Sequence, residues 1–480
     1  MGLVGDTETA WRFFEGDQWY GLESGERLPV YNIIAPSLRY RVANIAMNDM
    51  QIYYTPLSSD ERTEALARRL NVTAAAWWDR LRMDGVCWKM LKDSVVAGES
   101  YLYIYDEDGN CQVLDNTGVF LGDEEQPDIQ RQPYIILLER RDAAEVRQSA
   151  RAMGLPEEQV RLIQPDSAAK KVTTAKGGEE SGKVTCLLYM RKEGQDVYFV
   201  RTTRNVVLGE EKCIRGLGCY PLISLVSGRK KGSARGRGEV LPMIANQIEI
   251  NRNLVRRIVN AKLTAFSRLV YATDKIDNPQ DLDQVGSAIA VNDSTVADIH
   301  SAVGYISPAP MSGDAKAISD EMISLTRELA GAGSALLGNI DPSTASGAAI
   351  IAVRDQAQVP LNENAAAFRR FVEEVAGVWL RLWICYQRGV FDEGDFTVAE
   401  LVALRPRIRV DATSTTPFSK YAREQALDKL LEGGHITLEE YADALDDGSS
   451  VPKAKLTDIL RKRKEKMYEN VEGNGVFLAQ

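Results

Sequence analysis

The run Gly228-Arg229-Lys230-Lys231-Gly232-Ser233-Ala234-Arg235-Gly236-Arg237-Gly238 is the most basic stretch of the chain. Glycines beside a lysine can cradle phosphate, because backbone N–H groups and an ammonium then converge on one anion. That chemistry needs the spacing Gly-x-x-x-x-Gly-Lys-Ser/Thr, which this run lacks. Two readings stay open. The run is a solvated hinge ahead of a helix, or Arg229, Lys230, Lys231, Arg235 and Arg237 contact nucleic-acid backbone or an acidic partner. Other reactive side chains are sparse. The two histidines, His300 and His435, stand in no nucleophile or metal pattern. The six cysteines (87, 111, 186, 213, 219 and 385) form no Cys-x-x-Cys pair, which points to structural thiols in a reducing compartment. Carboxylates are numerous, but the sequence pairs none of them. No catalytic group, cofactor or metal is expected, and neither is intrinsic nucleotide hydrolysis.

With 480 residues there is room for several domains, and 44% apolar residues supply their cores. No window approaches the roughly 18 consecutive apolar residues of a membrane-spanning helix, so no membrane association is expected. Met1-Gly2-Leu3-Val4-Gly5-Asp6 shows no signal-peptide pattern, and Asp6 breaks the myristoylation pattern. A net charge of −10 argues against tight, sequence-independent DNA binding. Any meeting with DNA should be loose.

The elements that must carry these residues follow from periodicity. The first 60 residues mix aromatic residues and turns. Helices are expected over 61–82 and 88–96, strands over 101–105, 111–114, 134–138, 184–190 and 197–201, and a short helix over 143–153. Residues 167–183, rich in Lys, Gly, Ser and Thr, read as a surface loop. A long helix over 239–263 carries Leu241, Ile244, Ile248, Val255 and Ile258 in a heptad-like beat, with Asn251 in the same register. A buried Asn in such a seam fixes the register of helix packing. Residues 264–311 are a small α/β excursion. A second rod begins at Asp314, where Ile318, Met322, Leu325 and Leu329 draw one apolar stripe. Glycines 331, 333 and 338 and Asp341-Pro342-Ser343 stop that helix. Another helix restarts near Ser346 and runs towards Val390, with Pro360 expected to kink it. A last strand over 404–410 precedes C-terminal helices, where Thr437 and Glu440 form a capping-box pattern. Arg461-Lys462-Arg463-Lys464 reads as a solvated helix face or a DNA-binding tail. The fold class is α+β, mainly helical: two rods joined by a compact tip.

Phe14-Glu15-Gly16-Asp17-Gln18-Trp19, Asn32-Ile33-Ile34-Ala35-Pro36, Gly238-Glu239-Val240, Ser346-Gly347-Ala348-Ala349-Ile350 and the helical run 422–441 occur in this order along the chain. In these features the chain resembles the portal proteins of tailed bacteriophages, the head-to-tail connectors. The resemblance implies an α/β wing (1–238), a two-helix stem (239–263 and 312–335) and a small α/β clip (264–311). It further implies a tunnel loop (336–345), a kinked long helix completing the wing (346–412) and a helical crown (413–480). Its DNA-facing residues would be Leu336, Gly338, Asn339, Asp341, Pro342, Ser343 and Thr344. Stem packing between subunits would use Ile244, Ile248, Val255, Ile318, Met322 and Leu325. The implied function is a ring, usually of twelve subunits, at one capsid vertex of the virion, assembled in the host cytoplasm. Double-stranded DNA would be translocated through it by the terminase large subunit during packaging, held loosely, and would leave by the same conduit. Head-completion or adaptor proteins would attach below, and major capsid and scaffold proteins would surround it. Another ring or scaffold component of a virion is the alternative, and a cytosolic enzyme with an unrecognised carboxylate site is the rival from a different class.

Overall fold

In Val184-Thr185-Cys186-Leu187-Leu188-Tyr189-Met190 every second residue, Val184, Cys186, Leu188 and Met190, is apolar and buried, and strands with one buried face of this kind build the largest sheet among the described residues. A computed structural model describes residues 2–19, 28–46, 48–57, 60–166, 182–209, 211–265, 268–282, 288, 290–291, 303–306, 314–331, 359–391, 396–414, 417–445, 455–456 and 458–460.

The chain opens with α1 (Leu3–Glu15), whose Thr7, Ala10 and Phe14 share a buried face and which ends at Gly16 in the left-handed region. Next come α2 (Ile34–Ala46), β1 (Asn48–Thr55), α3 (Glu61–Arg80), capped by the Asp60 carboxylate on Thr63 N, and α4 (Met83–Ala97). α1 and α2 correct the expectation of turns in the first 60 residues. Asn32 ahead of an apolar run with Pro36 in the first turn is a helix-start signal that the aromatic residues obscure. β2 (Glu99–Ile104), β3 (Cys111–Leu114), β4 (Val119–Leu121), β5 (Tyr134–Asp142), α5 (Ala143–Ala152) and α6 (Glu157–Arg161) follow, then β6 (Lys183–Glu193), β7 (Asp196–Thr203), β8 (Lys212–Ile214) and β9 (Leu222–Val226). The first rod is α7 (Ile244–Ala265), entered through a 3-10 turn at Leu241–Met243. β10 (Arg268–Tyr271) and β11 (Val303–Ile306) pair antiparallel beyond it, and the second rod is α8 (Asp314–Leu329). The last elements are α9 (Asn362–Tyr386), α10 (Val398–Leu404), β12 (Arg407–Ser414), α11 (Pro417–Glu432) and α12 (Leu438–Ala444).

Two compact units result. The first comprises Met1–Val42, Lys89–Tyr103 and Gln112–Ala367. It holds the antiparallel sheet β4-β5-β6-β7-β8 and the sheet β3-β2-β9. Val146 and Ala150 of α5 and Val160 of α6 pack with Val184 and Cys186 of β6 in one buried cluster. α7 and α8 pack against each other within this unit.

The second unit comprises Ala43–Trp88, Ile104–Cys111 and Phe368–Gln480. Its core is aromatic. The Trp77 ring stands edge-on to Trp379 at 5.7 Å and to Trp383 at 5.2 Å, and Tyr54 O–H donates to Ala376 O at 2.8 Å. Burying one such indole removes roughly 150–250 Å² from water, about 4–6 kcal/mol. β1 pairs with β12 along eight residues of each strand, from Asn48–Ser414 to Thr55–Arg407. The last strand therefore starts later than the sequence suggests. Leu404 still belongs to α10, and Arg405 breaks the helix with φ 41°.

Two further expectations shift. Pro360 stands in a 3-10 turn, Val359–Leu361, directly ahead of α9, so the described helix begins after the proline. A ring with no N–H is tolerated at a helix entrance, where the donor has no intrahelical partner. Residues 346–358, and with them a kink, lie outside the described residues. Between α7 and α8 the described residues hold β10, β11, a bridge between Ile276 and Val291 and a 3-10 turn at Pro279–Asp281, with no α-helix among them.

Candidate functional site

The basic run is an ordered hairpin. Arg229 and Gly236 form a β-bridge, Arg237 N donates to Gly228 O at 3.0 Å, and Lys230 N donates to Arg235 O at 3.3 Å. This replaces the flexible hinge expected from its composition. Its glycines serve close approach. A Cβ on Gly236 would sit 2.1 Å from Gly98 O, and one on Gly238 would sit 2.1 Å from Val96 O. Only hydrogen fits where the hairpin lies on the corner between α4 and β2.

Arg235 corrects the reading of the run as five exposed cations. It is 7% exposed and points inward. Its guanidinium donates to both Glu124 oxygens at 2.7 and 2.8 Å, to Glu99 at 3.0 Å and to Val119 O at 2.8 Å. Glu99 is 1% exposed and also accepts from Gly236 N at 2.7 Å. Burial works against the Arg235 charge, but Glu124, Tyr101 and Glu99 hold its pKa above the ordinary value. Burial pushes the Glu99 carboxyl up, and Arg235 and Gly236 N oppose that. A planar fork facing two carboxylates and a carbonyl meets the strict demand of a buried charge. Arg229, Lys230, Lys231 and Arg237 are exposed, and none is ion-paired with a described residue.

The rods meet through unexpected faces. On α8, Ser319, Thr326 and, just beyond it, Ala330 are buried, while α7 is packed against this helix. The hydroxyls of Ser319 and Thr326 donate back to Ala315 O and Met322 O at 2.9 and 2.7 Å, so a small face is satisfied within its own helix. The predicted stripe points elsewhere. Ile318 is 50% exposed, Leu325 47% and Leu329 57%, with Met322 half-buried. On α7, Ile244, Ile248 and Val255 are half-buried. Ile258, Val259 and Leu263, further along, are exposed.

Asn251 is 1% exposed, but its partners are not on another helix. Its Nδ2 donates to Gln18 Oε1 at 2.6 Å, and its Oδ1 accepts from Tyr31 N at 3.0 Å and from Gln247 Nε2 at 3.2 Å. Gln247 Nε2 also donates to Tyr31 O, and Gln247 Oε1 accepts from Ile33 N. Two α7 amides thus hold the N-terminal segment at residues 31–33 by its backbone. Asn32 completes the joint: Nδ2 donates to Phe14 O at 3.0 Å, and Oδ1 accepts from Ala35 N at 3.2 Å. Sequence reasoning singled out Asn251 and missed Gln247. The i to i+4 spacing of the two amides was the available signal.

Arg41 of α2 was also missed. It is 8% exposed; Nη1 donates to Ala330 O at 3.3 Å, and Nη2 lies 3.4 Å from Glu239. One guanidinium thereby ties the C-terminal end of α8 to the residue leading into α7, where a helix-end carbonyl favours a cation.

The tunnel-loop residues Leu336, Gly338, Asn339, Asp341, Pro342, Ser343 and Thr344 lie outside the described residues, as do His300, the segment 167–181 and Arg461-Lys462-Arg463-Lys464. Among the described residues no group of His, Cys, Asp and Glu is arranged to hold a metal, and all six cysteines are unbridged. No described helix is long and apolar enough to cross a membrane.

No curated protein matches the chain. Among solved structures, a chain of the "Virion of native gene transfer agent (GTA) particle" is similar with a TM-score of 0.40 and 10% sequence identity, over 90% of this chain and 91% of that one. Residues 115–387 match the family model described as "Phage P22-like portal protein". That span runs from the buried Asn116 beside the Arg235 cluster, through the hairpin and both rods, to the end of α9; it is more than half of the chain, which therefore belongs to the phage P22-like portal protein family.

Proposed function

We propose that the chain is the subunit of a ring at one capsid vertex, the conduit through which double-stranded DNA is packaged by a terminase and later released. Membership of a portal family supports a structural part in the virion. Residues 244–265 and 314–329 are the stem in this reading, with residues 336–345 as the loop facing the channel.

One observation carries the ring. Ile318, Leu325 and Leu329 of α8 are about half exposed, although the helix is amphipathic and packed. A row of large apolar side chains left outside a packed pair of helices needs a cover. A second copy supplies it with the same surfaces repeated: Ile258, Val259 and Leu263 of α7 are exposed as well. Contacts between two different faces of one subunit generate a closed ring when the rotation closes. Twelve subunits, a terminase and head-completion or adaptor proteins complete the proposed assembly.

Particle mass tests it. Light scattering and electron microscopy of the purified protein should show a ring of many subunits, assembled alone or with its scaffold protein. The triple variant I318S/L325S/L329S should lose the ring while keeping the far-ultraviolet helix signal. A wild-type protein that stays monomeric with scaffold present would end this reading.

A further inference from the structure

The geometry points to the 228–238 hairpin as a phosphodiester-binding contact, one that grips double-stranded DNA by its backbone without reading its sequence. It rests on the portal reading only for the source of the DNA. The chain carries a net charge of −10, yet four exposed cations, Arg229, Lys230, Lys231 and Arg237, stand on one short hairpin. None of them is neutralised by a described carboxylate. The neighbouring acids are committed elsewhere. Glu99 and Glu124 pair with Arg235, and Asp123 caps its own turn through Glu125 N at 2.9 Å.

Rigidity separates this hairpin from an ordinary solvated charge run. Arg235 anchors its returning strand to Glu99, Glu124 and Val119 O, and Ala234 N donates to Glu124 O at 2.7 Å. Gly236 and Gly238 hold it against the α4–β2 corner. A hairpin backbone already held in place lowers the ordering cost of binding through the cations it carries. The residues between them are small: Gly232, Ser233 and the buried Ala234. No aromatic ring is there to stack a base, and no amide is there to read one. Charge alone is offered, and a duplex is the ligand with high linear charge density that rewards charge alone. An acidic polypeptide, with its lower charge density, is the weaker fit.

The experiment uses the full chain and a short linear DNA duplex, followed by fluorescence anisotropy at salt concentrations from roughly 50 to 200 mM. Wild type is compared with R229Q/K230Q/K231Q/R237Q. Polyglutamate serves as the acidic-polypeptide probe, and circular dichroism with light scattering reports folding and assembly. The expected result is at least a tenfold loss of DNA affinity at the lowest salt. Log affinity should depend less steeply on log salt, by up to about 3.6 for four lost phosphate contacts. If the quadruple variant fails to fold, K230Q/K231Q at the tip carries the test with about half that change in slope. An unchanged salt slope in a folded variant overturns the proposal, as does wild type without salt-dependent DNA affinity. Loss of polyglutamate binding with DNA binding intact overturns it in favour of an acidic partner. These outcomes are separate from the ring. Hairpin-dependent DNA binding by a protein that stays monomeric with scaffold present would support the hairpin and sink the proposed ring.

Discussion

Asp93 on α4 is the residue whose environment sets a pH response. It is 7% exposed, and burial pushes its carboxyl up to about 6; Lys92 and Lys89 oppose the shift and Asp115 adds to it. The unfolded chain titrates near the usual carboxylate value of about 3.9, so between these values the folded state holds the extra proton. The stability this proton confers is fully present below the unfolded value and is lost as pH rises through about 6. Thermal melts of wild type should therefore show a fall between about pH 4 and about pH 6, levelling off above, that D93N lacks. Identical pH profiles for the two proteins would show that Asp93 is not the source. Arg235 teaches the complementary lesson. Its charge is retained in the interior because Glu124, Glu99, Tyr101 Oη and the Val119 and Asn116 carbonyls all accept from it.

At the scale of elements, the joint between α7 and the N-terminal segment is the informative one. Asn251 and Gln247 satisfy the backbone at Tyr31 and Ile33, while Asn32 satisfies the end of α1 and the start of α2. The motif residues Gln18 and Asn32 thus have a mechanical reason to be amides: each joins two elements. N251L should leave the Gln18 oxygen and part of Gln247 unpaired in a buried site, and the part-buried Tyr31 N–H without its acceptor. Its cost is about 2–6 kcal/mol, at roughly 1–3 kcal/mol for each of the two buried groups left unpaired. Hydrogen exchange should accelerate at residues 31–35 and on α7, with the β4–β8 sheet unaffected. Uniform loss of protection over the whole unit would mean that the network holds the entire unit together and is no local joint.

For the whole molecule, the proposal divides rigid rods from a loop at their end. Arg41 holds Ala330 O, so the chain leaves α8 from a fixed point before the segment 332–358. In the proposed ring the residues 336–345 meet the DNA. They carry one charge, Asp341, and no Lys or Arg, so they would act by shape and by weak hydrogen bonds from Asn339, Ser343 and Thr344. Gly338→Pro restricts φ and removes a donor. Rings of that variant should form with normal mass and package less DNA per particle. Normal packaging would make the loop a passive connector. Together with the proposed hairpin, the DNA contacts would be of two kinds: a cationic, salt-dependent one before α7, and one without Lys or Arg after α8.

Period and punctuation made much of this protein legible from sequence. The alternating strands β5, β6 and β7, the two rods and the Thr437–Glu440 capping box are each written in a residue pattern that repeats within a few positions. The order of short motifs along the chain was enough to suggest the portal family, which the match over residues 115–387 shows. Tertiary structure alone decided which face of each element is used. The α8 stripe is a property of sequence spacing, but its exposure follows from Ser319, Thr326 and Ala330 being small enough to pack closely while the Ser319 and Thr326 hydroxyls bond within the helix. Asn251 looked like a helix–helix register residue because a heptad beat is local information; its partner Gln18 is 233 residues away. Arg235 is one cation among five in the sequence. Only the approach of Glu99 and Glu124, from more than 100 positions away, turned it inward and left the other four to face the solvent.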